Sequence, residues 1–161
     1  KLNEYTEKPF VHFAEDWALL TAGVPDDFNS MTIAWGALGT MWGKPAAFLV
    51  VKRRAIPASS WSGMTRSRCR GTMPNTRKPW EFSAPRAAGY GQGGETGFTP
   101  RAIEGAVTYE EAQETMVLRK MFMQQLDRSR FSPEILKWYA AGTKEEHAHI
   151  LIIAEVLSHT Q

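Results

Sequence analysis

The chain has 161 residues, 43% of them hydrophobic, and a formal net charge of +2 at pH 7. That is one domain's worth of chain, long enough to bury roughly two-thirds of its unfolded surface without staples. The single Cys69 excludes an internal disulfide, and neither a long apolar run nor a charged-then-apolar leader speaks for membrane spanning or export, so a cytoplasmic protein is expected.

Residues 17–51, WALLTAGVPDDFNSMTIAWGALGTMWGKPAAFLVV, organise the rest; they predict strand, polar turn, strand, Gly-rich turn and a third apolar strand. Trp17 to Thr21 is a short apolar run. Pro25, Asp26, Asp27 and Asn29 then supply turn chemistry, because Pro fixes φ and Asx side chains bond nearby backbone. Met31, Ile33 and Trp35 alternate with Thr32, Ala34 and Gly36, the period-two pattern of a strand with one packed face. Gly36 and Gly39 thin the chain and are expected to admit a ligand or another backbone.

The ordered set Trp17-Ala18-Leu19-Leu20-Thr21-Ala22-Gly23, Phe28-Asn29-Ser30-Met31-Thr32, Trp35-Gly36, Leu38-Gly39 and Trp42-Gly43-Lys44-Pro45 resembles the flavin reductase-like family. The family pattern has the form N-x-M-T-x-x-W-G-x-L-G-x-x-W-x-K-P; a lone N-x-M-T is weak, but the whole set in order is hard to obtain by chance. The resemblance implies a mostly β fold, an FMN-binding split β-barrel with a few short helices, in a single domain over residues 1–161. It also implies a homodimer with the flavin near the subunit interface.

Between Arg53 and Glu95 the basic residues Arg53, Arg54, Arg66, Arg68, Arg70, Arg77, Lys78 and Arg86 are set against only Glu81 and Glu95. Such a block ordinarily suggests a polyanion partner or a basic linker. The only Ile, Leu, Val or Phe residues in it are Ile56 and Phe82, too few for a core, and its Pro and Gly content looks like low-complexity linker. A long structureless insert in a compact barrel is itself suspect. We read residues 53–95 instead as written in a wrong reading frame. With permitted codons, one shifted frame turns residues 54–57 into Arg-Tyr-Thr and residues 78–89 into a run ending Ser-Gly-Arg, and the remaining frame turns residues 89–95 into a run beginning Asp-Met-Asp-Lys; joined, these give Ser-Gly-Arg-Asp-Met-Asp-Lys, like Arg-Tyr-Thr an element of the resembled family. On this reading neither the basic block nor Cys69 argues function, and no nucleic-acid or membrane partner is expected.

Ile103 to Val107 is followed by Thr115 to Met123, where Met116 and Leu118 fall on one side of a strand, although a helical period from Glu110 to Leu126 competes. The likeness of Leu118-Arg119-Lys120 to a family element favours the strand. Ser132-Pro133-Glu134 is a helix start, a Ser cap with Pro in the first position, for a helix ending near Gly142. His149 to Leu157, HILIIAEVL, predicts a buried closing strand, interrupted by Glu155, whose carboxylate needs a hydrogen-bonded or charged partner if buried. In the resembled family this strand carries H-x-x-x-x-G-E; His149 and Glu155 match it, with Ala154 in place of the Gly.

His12, His147, His149 and His159 with Cys69 show no zinc-type ligand spacing, and no metal is expected. Neither G-x-S-x-G nor a P-loop occurs, and Gly36 to Gly43 opens no helix, so a Rossmann reading fails. A flavin needs a slot for a flat ring, main-chain groups at its polar edge and donors for its phosphate. Asn29 and Ser30, read as turn residues, the Thr32 hydroxyl and the small Ala34 suit the first two needs, while Trp35 reads on composition as core rather than as a stacking partner. The resemblance implies flavin contacts at Asn29, Ser30, Met31, Thr32, Ile33, Ala34 and Trp35, with Lys52, Arg54 and Gln92 where the phosphate is expected. No catalytic side chain stands out, which fits redox chemistry carried by FMN, with NADH or NADPH as reductant. The alternative is an FMN-containing electron carrier of flavoredoxin type, served by a redox protein partner.

Overall fold

The structure, a computed structural model, describes residues 2, 13, 18–52, 63–69, 98–142 and 149–161. Within them the strands are β1 (Ala18–Val24), β2 (Asp27–Ile33), β3 (Gly36–Met41), β4 (Lys44–Lys52), β5 (Met64–Cys69), β6 (Pro100–Ile103), β7 (Ala106–Tyr109), β8 (Ala112–Gln125) and β9 (His149–Thr160). One helix, α1 (Pro133–Gly142), precedes β9. Seven strands form an antiparallel sheet in the order β2-β1-β5-β8-β9-β4-β3, and β6 and β7 form a separate hairpin. The mostly β, split-barrel expectation is met. No described helix is long and apolar enough to cross a membrane.

Turn chemistry fixes the register. Trp42 and Gly43 join β3 to β4 with φ of 51° and 72°, and Glu104 and Gly105 join β6 to β7 with φ of 47° and 77°. Two positive φ values in a two-residue loop match the right-handed twist of the flanking strands. Met41 therefore pairs with Lys44, and Ile103 with Ala106. The period-two pattern then sets the core. Ala18, Leu20 and Ala22 of β1, Met31 and Ile33 of β2, Ala47, Leu49 and Val51 of β4, and Ile150, Ile152, Ala154 and Val156 of β9 share one apolar cluster with Met116 and Leu118. Register shifts in β8 at Val117/Leu118 and Lys120/Phe122 bend its fourteen residues, as bulges do, and let the sheet curl around that cluster.

The other face of β1, β5 and β8 is covered by the β6–β7 hairpin through a layer of buried hydroxyls. Thr21 bonds Ser30 at 2.8 Å, Ser30 bonds the Tyr109 hydroxyl, Ser67 bonds Thr108 at 2.9 Å, and Thr108 bonds Thr115 at 2.7 Å. Burial without partners costs more than these bonds return, so the layer works because its members satisfy one another. Burial also pushes the Tyr109 phenol above its ordinary range, against the lowering effect of Ser30 and Thr21.

Several expectations change. The first strand runs to Val24, and Trp17 lies outside the described residues. Asn29 and Ser30 are not turn residues; β2 begins at Asp27, and both are buried within it. The stretch expected as a Gly-rich turn is strand β3, because glycines weaken a strand's sequence signal without preventing an edge strand from pairing. Gly36 does meet a close approach, but from the chain itself: a Cβ there would lie 2.4 Å from the Phe48 carbonyl oxygen and 2.6 Å from the Phe13 ring. The period at 112–125 is that of a strand, and Ser132 caps α1, its hydroxyl accepting from the Ile135 N–H at 3.4 Å. Residues 64–69, from the block judged unable to build a core, form β5 between β1 and β8, with Met64 in the cluster and Arg66 1% exposed on the same inward face.

Candidate functional site

β2 and β3 are the two edges of the sheet, consecutive in the chain and joined through Ala34 and Trp35. The barrel is split there. An edge strand leaves alternate main-chain groups outside the ladder, the kind of group a heterocycle's polar rim can use. The Val50 N–H donates to the Trp35 carbonyl at 3.1 Å, which ties the junction to β4. Lys52, at the end of β4, pairs with His149 at the start of β9. The Trp35 ring stacks on the His149 ring, with centroids 4.8 Å apart and planes 29° apart. Trp35, Lys52 and His149 thus meet at one end of the barrel.

α1 completes this rim. Its Trp138 lies 5.7 Å from Trp35, and both rings are open to solvent, 61% and 40% exposed. Its Tyr139 is buried, edge-on to Phe131 and to His149, under the Arg128 guanidinium at 5.3 Å. The Tyr139 hydroxyl accepts from the His149 backbone N–H at 3.0 Å and lies 2.7 Å from His149 Nδ1. Burial, and next the charge of Lys52, pull the His149 imidazole down to about 4, so it is neutral at pH 7.

The expected contacts divide. Thr32, Ala34, Trp35 and Lys52 stand at or beside the split. Met31 and Ile33 turn their side chains into the core and leave only backbone for a ligand. Ser30 is consumed by Thr21 and Tyr109, and the Asn29 carboxamide accepts from the Ser30 N–H at 2.9 Å. Arg54 and Gln92 lie outside the described residues, as does His147. Thr32 continues the outward row of Ser30, and its buried Oγ1 has no hydrogen-bond partner among the described residues. Such an orphan costs about 1–3 kcal/mol unless something satisfies it. It is an observation of this chain that fits a polar ligand beside β2. Residues that sequence reasoning missed are Trp138 and Tyr139; an aromatic pair in a helix signals packing, and only the tertiary fold brings it to His149.

Glu155 is not at this rim. It accepts from Lys44 Nζ at 2.9 Å and from Arg119 Nε at 3.1 Å, and these bonds hold its carboxyl below the ordinary carboxylate range. Lys44 of the G-K-P turn, Arg119 of Leu118-Arg119-Lys120 and Glu155 of β9 are one ion triad on the outer face. Cys69 packs against Leu19, Phe98 and Tyr109, and burial, with Glu111 second, pushes its thiol up to about 12. It is no thiolate at neutral pH. Among the described residues no three His, Cys, Asp or Glu side chains gather as a metal site.

No family model and no curated protein sequence matches the chain. Solved structures do. Flavoredoxin from Methanosarcina acetivorans aligns with a TM-score of 0.59 at 13% identity, over 98% of this chain and 74% of that one. The NADH:FAD oxidoreductase SgcE6 of Streptomyces globisporus C-1027 aligns at 0.54 and 13%, over 91% and 75%. A protein from Shewanella frigidimarina, described as a flavin reductase with a split barrel domain, aligns at 0.57 and 10%, over 98% and 75%. Edge strands that meet at Ala34 and Trp35, a sheet curled on one core and these three likenesses lead to one conclusion: the chain has the split-barrel fold of the flavin reductase-like family.

Proposed function

We propose that this chain binds FMN at the split and serves as an NAD(P)H:flavin oxidoreductase. The observation that carries the reading is the meeting, in a flavin-reductase fold, of an open Trp35 face, the Lys52 cation and a neutral His149 at one barrel end, with an unsatisfied Thr32 hydroxyl on the edge strand that leads to Trp35. Thr32 and the free main chain of β2 hold the polar rim of the ring, Trp35 borders it beside His149, and Lys52 supplies charge towards the phosphate. The bound FMN supplies the hydride-accepting chemistry. The residues do the rest: they orient the ring, exclude water from one of its faces and keep a proton off His149 at neutral pH.

The same reading has the chain work as a homodimer in the cytoplasm, where reduced nicotinamide is supplied. Exposed Trp42, Phe122 and Met123, with Trp42 and Phe122 6.5 Å apart, support pairing of two copies. It also keeps residues 53–95 as out of frame. Arg66, buried on the inward barrel face with its guanidinium 4.9 Å from the Phe13 ring centre, stands where an apolar residue is the ordinary choice. Intact mass and peptide mapping of the protein test that part; a tryptic peptide carrying Cys69 as written removes it.

Visible titration with FMN tests the function. The expected result is a saturable, perturbed flavin spectrum and NADH or NADPH oxidation that depends on the flavin. A chain that leaves the FMN spectrum unchanged overturns the reading. Tight FMN with no nicotinamide oxidation, but reduction by a protein donor, moves the chain to the flavoredoxin type.

A further inference from the structure

His149 is bonded on one side only. The Tyr139 oxygen accepts from the His149 backbone N–H, and its single phenolic proton is free to point to Nδ1, 2.7 Å away. In that arrangement Nδ1 is the acceptor, and a neutral imidazole with an accepting Nδ1 carries its proton on Nε2. No hydrogen-bond partner meets Nε2 among the described residues, and it is not among their sealed, unsatisfied atoms. Among the described residues, the groups around the ring are Lys52 from β4, Tyr139 from α1, the Trp35 face, and Arg128 behind the Tyr139 ring. None of these is a carboxylate that would draw the proton back to Nδ1.

We infer that Tyr139 is a positioning residue: its hydroxyl holds His149 in the Nε2–H tautomer, so that the imidazole presents a fixed hydrogen-bond donor to the flat ring bound beside Trp35. This deepens the flavin reading and rests on it. The ligand atom that Nε2–H meets is an acceptor, a carbonyl oxygen or an unprotonated ring nitrogen, as a flavin or another electron-poor heterocycle offers and a hydrocarbon ring does not. Tyr139 touches no ligand; it acts through His149.

The test is long-range proton–nitrogen NMR on the full chain, with His149 assigned by its loss in His149→Gln, together with FMN titration. The expected spectrum places the proton on Nε2 from pH 6 to 8, and the Nε2–H signal moves when FMN is added. Tyr139→Phe keeps the ring against Phe131 but removes the donor; it is expected to mix the tautomers and to weaken FMN binding about three- to tenfold, the value of one hydrogen bond. If Tyr139→Phe leaves either the tautomer or the FMN titration unmoved, the role is overturned. Where that variant does not fold, the wild-type spectrum decides, and an Nε2–H signal indifferent to FMN overturns the role. The two readings fail separately: a wild-type chain that takes no FMN sinks the flavin reading and this role with it, while one that binds FMN with the proton on Nδ1 sinks this role alone.

Discussion

Thr32 and Ser30 are two residues apart on the same face of one strand, yet they have opposite standing. Ser30 is satisfied by Thr21 and Tyr109, whereas the buried Thr32 hydroxyl has no partner among the described residues. Replacing an unsatisfied hydroxyl by a methyl group of the same shape removes a desolvation cost. Thr32→Val should therefore stabilise the ligand-free protein, by about 1 kcal/mol, while weakening FMN about three- to tenfold. Urea midpoints and FMN titration check the pair; a destabilised ligand-free variant would show that the hydroxyl is already bonded. His149 gives a pH signature. Its ionisation is depressed in the folded protein, so above about 6.5 neither state is protonated and it contributes no slope; between about 6.5 and 4 the unfolded chain takes up a proton that the folded one refuses. Stability should fall over that window in the wild type and fall less in His149→Gln, as seen in denaturant midpoints at pH 7.5 and 4.5. Glu155 works the other way. Lys44 and Arg119 favour its ionised form and lower its pKa, so its contribution is complete above the ordinary value of 4.5 and is lost as pH falls through the lower folded value. Glu155→Gln should lower the midpoint at pH 7 and match the wild type in strong acid.

At the level of elements, β3 shows how glycines divide into needed and incidental. A Cβ at Gly36 meets the Phe48 carbonyl and the Phe13 ring, whereas one at Gly39 meets only the Phe48 ring edge at 3.9 Å. Gly36→Ala should cost about 1–3 kcal/mol, as overpacking does, and Gly39→Ala should stay within about 0.5 kcal/mol. Equal effects from thermal melts of the two variants would remove that distinction. The same strand shows what sequence carries. β1, β2, β4 and β9 were legible because their apolar residues alternate or run together, and α1 because its Ser–Pro start is chemical. β3 was read as a turn because Gly36 and Gly39 give no period. β5 was missed for a different reason. Its outward Thr65 donates to the Val107 backbone carbonyl and its Ser67 bonds the Thr108 hydroxyl, both on distant β7, and its inward Arg66 carries a charge where patterning looks for a hydrocarbon. The site followed the same rule: Trp35 and Thr32 stand in a motif, while Tyr139 reaches His149 only because α1 folds back onto β9.

For the molecule as a whole, the split sets the geometry that any ligand must respect. One that binds only the folded chain stabilises it by mass action; FMN at a hundred times its dissociation constant should add about 2.7 kcal/mol, a rise of about 5–10 °C in melting temperature for a domain of this size. A melt indifferent to FMN speaks against a site at the split. The apolar surface at Trp42, Phe122 and Met123 belongs to this scale too. Phe122→Lys should shift the sedimentation coefficient from dimer to monomer, and a wild-type chain that sediments as a monomer would remove the expectation of pairing.

The indole of Trp35 lies flat on an imidazole that is neutral at pH 7. An excited indole gives up an electron to imidazolium far more readily than to imidazole, so the emission of Trp35 should dim as His149 gains its proton. Subtracting the spectrum of Trp35→Phe isolates that signal from the other tryptophans. The chain thereby carries a native optical gauge of its own histidine, readable by fluorescence without a label.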